Sequence, residues 1–226
     1  MNVLAIDTAA NLCAACVYDT AVGRELGQSV HDIGKGHAEV LMDVIGEALG
    51  AASLTFAGID AVAVAVGPGS FTGIRVGVSA ARGLALALKA PVAGVTTLEA
   101  LAFEAREHFG AKPVLAAIDA GRDGIYSSVY DDFGKIAYAP AVLDLETAVE
   151  LASNVAVVTG SAAVRIADAA KQKGLMLGST GATADIGAYA RLAIAKGFSN
   201  EKPRPLYLRA PDAKPQTQFA LPRKDG

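Results

Sequence analysis

The chain has 226 residues, of which 52% are hydrophobic and 19% charged, and its net charge at neutral pH is −3. That length suits one large domain or two small ones, and the apolar fraction allows a substantial core. A domain that grips nucleic acid by itself carries a basic excess to neutralise phosphates; this chain has none, so any nucleic-acid role is expected to be indirect or shared with a partner.

MNVLAID (1–7) reads as a buried strand ending at Asp7, CAACVYD (13–19) as a second, and ELGQSVHDI (25–33) as a third. GHAEVLMDVIGEALG (36–50) carries Ala38, Leu41, Met42, Ile45, Ala48 and Leu49 at helical spacing. DAVAVAVG (60–67) is a strand, 70–89 a helix and 91–95 a strand. Thr96 and Glu99 have capping-box spacing and open a helix to about Phe109. The order then restarts. PVLAAID (113–119), YSSVYDD (126–132) and KIAYAPAVL (135–143) are strands, and LETAVELA (145–152) is a helix. VAVVTG (155–160) is a strand, followed by helices at 161–174 and 183–197. These elements predict a first lobe over 1–110, a second over 111–209, and a disordered tail at 210–226. No basic-then-apolar leader and no run of about 18 apolar residues is present, so a soluble, cytoplasmic chain without membrane contact is expected.

LAIDTAANLCAACVYD (4–19) aligns without gaps on AAIDAGRDGIYSSVYD (116–131) at an offset of 112. Together with the repeated element order, this predicts an internal duplication. A duplicated βββαβα plan resembles the α/β architecture shared by actin, heat-shock chaperone ATPases and sugar kinases (the ASKHA fold). In that superfamily the first turn of each lobe faces a nucleotide, which draws attention to Asp7, Thr8 and Asp119. Both turns look reduced here. Asp7-Thr8-Ala9-Ala10-Asn11 lacks glycine, and Asp119-Ala120-Gly121-Arg122-Asp123-Gly124 carries added charge. Asp7 fits two roles, holder of a water-bound metal or cap of its own turn.

VGPGSFTGIRVGVSAARGLAL (66–86) has the look of a phosphate loop but lacks its grammar. A Walker loop needs a second glycine five residues after the first, then Lys. Those positions hold Thr72 or Ile74, with no Lys after either. Gly67-Pro68-Gly69 instead turns the chain, and Ser70 or Thr72 caps the helix. Gly73, Gly77, Ala80, Leu84 and Ala87 then form a small-residue stripe. Helix-interior glycines cost about 1 kcal/mol each, so another element must approach closely: either the chain's own sheet or a helix of another subunit. Arg75, Arg82 and Lys89 fall seven apart on one helix, and Glu39, Asp43 and Glu47 four apart on the other. Such thin charged lines between apolar flanks fit a two-helix contribution to an intermolecular bundle.

No catalytic constellation and no metal set is found. Cys13 and Cys16 lie three apart on a strand, hence on opposite faces, and lack the second pair that zinc requires. They read as small core residues. His31 and His37 lack the i, i+4 spacing of a helical metal pair, and His37 reads as a capping or packing residue.

The chain resembles the TsaB (YeaZ) family at LAIDTA (4–9), GHAEVLMDVI (36–45), VAVGPGSFTGIRVGVSAARGLALAL (64–88), PVAGVTTLEALA (91–102), AAIDAGRDGIY (116–126) and PLYLR (205–209). Gly121 departs from the family, standing where a basic residue is expected. The resemblance implies a non-catalytic subunit of the machinery that transfers a threonylcarbamoyl group to N6 of adenosine 37 in tRNAs reading ANN codons. It implies TsaD (the catalytic subunit) and TsaE (an ATPase) as partners, a second copy of the chain as partner in isolation, and tRNA contact only through the complex. It implies no tightly bound cofactor, with at most a weakly held adenine nucleotide at the partner interface. Carried onto this chain, it places the interface on Leu41, Ile45, Gly73, Gly77, Val78, Arg82 and Leu86. It places a vestigial cleft on Asp7, Thr8, Gly69, Ser70, Thr72, Arg75 and Asp119. The competing reading from the fold alone is an independent ATPase or small-molecule kinase. A peptidase, suggested by older family naming, finds no ligand set here.

Overall fold

The structure, a computed structural model, describes residues 1–198 and 201–209; the expected disordered tail at 210–226 lies outside the described residues. The first half runs β1 (Asn2–Asp7), β2 (Leu12–Asp19), β3 (Arg24–Asp32), α1 (His37–Ala51), a short 3-10 turn (Phe56–Gly58), β4 (Ala61–Ala65), α2 (Phe71–Leu88), β5 (Val92–Val95) and α3 (Thr97–Phe109). The second runs β6 (Val114–Asp119), β7 (Ile125–Tyr130), β8 (Ile136–Leu143), α4 (Leu145–Ala152), β9 (Val157–Thr159), α5 (Ala163–Ala170), β10 (Met176–Leu177) and α6 (Ile186–Lys196). The helix expected at 161–174 stops at Ala170 because Lys171 turns left-handed, with φ 50°. The 3-10 turn and the two-residue β10 were not anticipated; elements that short carry no periodic signal.

Each half builds one five-stranded sheet. The orders are β3-β2-β1-β4-β5 and, read from the other edge, β8-β7-β6-β9-β10. In both, the first two pairs are antiparallel hairpins and the rest are parallel crossovers. The topology is therefore duplicated. α1 and α2 cover the outer face of the first sheet, while α4 and α5 pack with the outer face of the second. The closing helices are exchanged: α6 packs on the first sheet and α3 on the second, and the two touch each other. The largest apolar cluster therefore runs continuously from Val3 and Ala5 through Leu101 and Tyr189 to Ala116 and Ile118. At about 1.5–3 kcal/mol for each large side chain removed from water, this shared layer binds the halves together.

Cross-strand pairing refines the internal alignment. Leu4 pairs with Val17, on the face toward α1. Leu115 pairs with Val129, on the face toward α4 and α5. Matching these pairs keeps the offset of 112 between β2 and β7 but gives 111 between β1 and β6 (115 − 4). The second turn is one residue shorter, spanning 120–124 against 8–13. A one-residue slip moves a side chain to the other face of its sheet. Asp7 thus faces inward to α6, while Asp119 faces outward to α5. The two aspartates are neighbours in the alignment but not structural equivalents.

Helix starts follow their side chains. Ser70 Oγ accepts from Gly73 N–H, Asp144 from Thr147 N–H and Asp185 from Gly187 N–H. Thr96 and Glu99 form the full reciprocal capping box. Cys13 and Cys16 are buried and free. His37 caps nothing; it is buried at the start of α1 with Nε2 3.2 Å from Leu12 O. α2 alone among the described helices is long and apolar enough to cross a membrane; here its inner stripe of Ile74, Val78, Ala81 and Ala85 is buried in the core of the first sheet.

Candidate functional site

The glycine stretch is explained by the chain's own first turn. After β4, Gly67–Pro68 is cis and Gly67 has φ 93°. Ser70 N–H then donates to Ala9 O at 2.6 Å, and Thr8 Oγ1 donates to Gly73 O at 2.7 Å. A Cβ on Gly69 would run into Ala9 O, on Gly73 into Thr8 O, and on Gly77 into Thr8 Oγ1. The glycines are therefore spent on a close approach between the start of α2 and residues 8–9, inside one subunit. This corrects the expectation for Gly73, Gly77 and Val78, the last only 3% exposed: they face the chain's own sheet and not a partner. Ile45 is likewise sealed at 0% exposure, and Leu41 is the floor of a groove, not its rim.

Asp7 is fully enclosed. Its Oδ1 accepts from Ala9 N–H at 2.8 Å, which caps the turn. The Thr183 and Tyr189 hydroxyls face the same carboxyl, and His37 lies close enough to act on its charge. Burial outweighs all of these and pushes the carboxyl up to about 6. The Tyr189 hydroxyl is itself buried and makes no well-formed hydrogen bond among the described residues. α6 and the 183–185 approach to it thus fill the space inside the first turn, leaving Asp7 1% exposed and Thr8 0%. Of the two roles open to Asp7, turn capping is the one the contacts support.

Asp119 stands in a different setting. Its carboxylate is half exposed and lies 3.8 Å from Arg165 of α5. Its N–H donates to Ser161 Oγ, and Oδ1 accepts from Gly121 N–H. Two further nitrogens of Arg165 are buried without a hydrogen-bond partner among the described residues. The turn also receives Arg209, which donates to Ala120 O and Gly121 O. No group of three or more His, Cys, Asp or Glu able to hold a metal occurs among the described residues.

The other feature is the outer face of α1 and α2. A shallow groove of about 390 Å³ runs between them, floored by Leu41 and walled by Ala38, Met42, Val76 and Ala80, with Thr72, Arg75 and Ser79 along α2. Met42 is 50% exposed, and Leu86, about two turns beyond Ser79 on the same face of α2, 82%. Arg82 and Leu86 are thus the two expected interface residues that do stand on the surface. Thr72 and Arg75 belong to this outer face and not to the turn around Asp7. The charged lines are partly consumed at home: Glu47 accepts from Ser29 Oγ at 2.6 Å and meets His31 at 2.7 Å, and Arg75 donates to the Tyr207 hydroxyl. Glu39, Asp43 and Arg82 remain exposed.

Residues that sequence reasoning missed divide by cause. Thr183 and Tyr189 come from the distant second half, and no local pattern joins them to Asp7. Met42 falls in the sequence among the apolar residues at helical spacing on α1, and spacing alone does not separate it from the buried Leu41 beside it. Phe71 and Tyr207 meet across more than a hundred residues, with ring centres 5.0 Å apart.

A family model described as TsaD, tRNA N6-adenosine threonylcarbamoyltransferase, matches residues 31–213. The solved structure of YeaZ from Pseudomonas aeruginosa superposes with a TM-score of 0.73 at 30% identity, covering 92% of this chain and 99% of that one. The chain is a member of the TsaB/YeaZ family. Curated relatives in the TsaB/YeaZ family include the tRNA threonylcarbamoyladenosine biosynthesis protein TsaB of Escherichia coli, 35% identical over 58% of this chain. The protein of the same name from Haemophilus influenzae is 33% identical over 60%. The aligned segments span 55% and 58% of those two proteins. A ROK family protein from Streptococcus pneumoniae, at 12% identity and a TM-score of 0.50, shares the fold. The TsaB/YeaZ fold is thus a member of the duplicated α/β class that the element order predicts.

Proposed function

We propose that this chain is a non-catalytic subunit of the assembly that attaches a threonylcarbamoyl group to N6 of adenosine 37 in tRNAs reading ANN codons, and that it works by docking. The observation that carries this is the sealing of the first turn. A nucleotide-using relative of this fold needs the turn after its first strand open to phosphate or metal. Here Asp7 and Thr8 are enclosed by α2, Thr183 and Tyr189 of the same chain, and α2 closes on Thr8 through Gly73 and Gly77. The relatives' names supply the pathway.

Docking is assigned to the outer face of α1 and α2. Met42, Val76, Ala80 and Leu86 offer apolar contact, while acids on α1 and bases on α2 border it. The occupant in the assembly is the catalytic subunit, TsaD; in isolation it is a second copy, because acidic α1 opposite basic α2 is self-complementary under a two-fold axis. TsaE joins the assembly, tRNA is met through it, and the chain holds no tight cofactor of its own. The chain works in the cytoplasm, where its tRNA substrate is.

The test is a drop-out reconstitution. Threonylcarbamoyl adenylate, TsaD, TsaE and unmodified tRNA are combined with and without this chain, and modified adenosine is counted by mass spectrometry. Product that requires both this chain and TsaD is expected. Equal product without this chain would overturn the proposal, and product from this chain without TsaD would make it an enzyme.

A further inference from the structure

Residues 201–209 touch β5, the exit of β4, α2 and the turn at 120–124 in succession. Pro203 is buried against Gly94 of β5, where a Cβ would lie 3.1 Å from the proline ring. Leu206 N–H donates to Val66 O at 2.7 Å, at the exit of β4. Tyr207 then packs on Phe71 and accepts from Arg75 Nε at 2.8 Å, while the Arg75 guanidinium lies 3.7 Å over the Phe71 ring. Two residues later Arg209 donates to Ala120 O at 2.9 Å and Gly121 O at 3.1 Å and sits against Gly124, where any Cβ would collide with it. Its guanidinium is 5.9 Å from the Tyr126 ring.

Arg75 and Thr72 also wall the groove on α1 and α2. The chain bends at Leu208 and Arg209, and a single residue separates Tyr207 at the docking face from Arg209 on the second lobe's turn, so the two contacts are joined by a short connection. Arg209 meets the turn through carbonyl oxygens. A turn that held phosphate would use its N–H groups instead, so the face it shows Arg209 is the acceptor face. The guanidinium fork matches two adjacent acceptors, which lysine cannot do.

We propose that residues 201–209 are a strap coupling the docking face on α1 and α2 to the turn at 120–124 of the second lobe. Order at one end is transmitted to the other through Tyr207 and Arg209, and by linkage the effect is reciprocal. This rests on the docking role assigned above, and it adds the means by which an occupant of that face is sensed across the molecule.

Hydrogen–deuterium exchange of the full chain tests it in two arms. In the chain alone, Tyr207→Ala is expected to speed exchange in peptides covering 119–126 roughly three- to tenfold, the equilibrium weight of one lost hydrogen bond, although Tyr207 makes none of the described contacts of that turn. Arg209→Ala, which removes the contact directly, sets the full effect, and Tyr207→Phe, which keeps the ring, gives an intermediate one. Unchanged exchange at 119–126 in Tyr207→Ala overturns the coupling. Protection of β1 and β6 must stay at the wild-type level, and where Tyr207→Ala disturbs it, Tyr207→Phe decides instead. In the second arm TsaD is added. Slower exchange at 119–126 in the wild type, absent in Arg209→Ala while α1 and α2 become protected in both, supports the strap. Protection of α1 and α2 without any change at 119–126 overturns the strap and leaves docking standing. No protection of α1 and α2 overturns docking, and the first arm then decides the strap alone.

Discussion

Asp7→Asn should make this protein more stable, and only at a pH where the wild-type carboxyl is ionised. The wild-type group titrates near 3.8 when unfolded and at about 6 when folded, raised by burial. Between those values the native state holds a proton that the unfolded state has released, so stability falls as pH rises through that window and is level above it. Over about two pH units, at 1.36 kcal/mol each, the charge costs about 3 kcal/mol at pH 8 but only about 0.5 kcal/mol at pH 4. Asparagine keeps an acceptor for Ala9 N–H and carries no charge. Its contact with the Thr183 hydroxyl is weaker than the carboxylate's by roughly 0.5–1 kcal/mol. The expected net gain is therefore about 2 kcal/mol at pH 8, a rise in Tm of roughly 4–8 °C for a chain of this size. Urea unfolding of both proteins at pH 4, 6.5 and 8 measures it, with an unchanged slope in denaturant required for the comparison. A stability difference that does not change between pH 4 and 8, or a less stable Asn variant at pH 8, would refute the reasoning about Asp7.

The remaining predictions use the same contacts. Gly77→Ala should destabilise by about 1–3 kcal/mol through overpacking against Thr8, whereas Gly83→Ala, on the open side of the same helix with nothing within 4 Å, should stabilise by about 0.5–1 kcal/mol; thermal melts of the pair separate close approach from propensity. Met42→Asp or Leu86→Glu should weaken TsaD binding at least tenfold by calorimetry, with the melting temperature of the free chain nearly unchanged, since both side chains stand in solvent. Arg191 bridges Glu107 at 2.9 Å and Glu25 at 3.5 Å, beside Asp185 and Glu104. Arg191→Met should cost roughly 1–2 kcal/mol at pH 7, after allowance for partial exposure, and the cost should shrink as pH falls and Glu25 and Glu104, both raised by burial, take up protons. A loss that persists undiminished at low pH would assign Arg191's role to packing.

How much of the molecule was legible in its sequence depended on the range of the interaction. Strand and helix positions, the capping box at Thr96 and Glu99, and the N-cap at Ser70 rest on contacts within a few residues. Most come through within a few residues, Ser70 being the cap used of the two offered, while the helix read at 161–174 spans only Ala163–Ala170. The duplication was legible for the same reason, because β2 and β7 keep their pattern at a constant offset. Its one error, the equation of Asp7 with Asp119, came from a single residue missing in the second turn. Composition cannot reveal that, and only cross-strand pairing shows which face each aspartate takes.

The tertiary structure decided what each small-residue stripe and each charge is for. The sequence shows that something must approach Gly73 and Gly77, because their cost in a helix needs a reason. Only the packed fold shows that the visitor is Thr8 of the same chain. The sequence shows acids on one helix and bases on the other. Only the fold shows that Glu47 is engaged by β3 and Arg75 by Tyr207, while Glu39, Asp43 and Arg82 stay exposed. Local propensity and periodicity are written in neighbouring residues. Contacts between β1 and α6, or between α2 and the strap, are set by how the two halves exchange their closing helices, and no window of the sequence contains both sides of them.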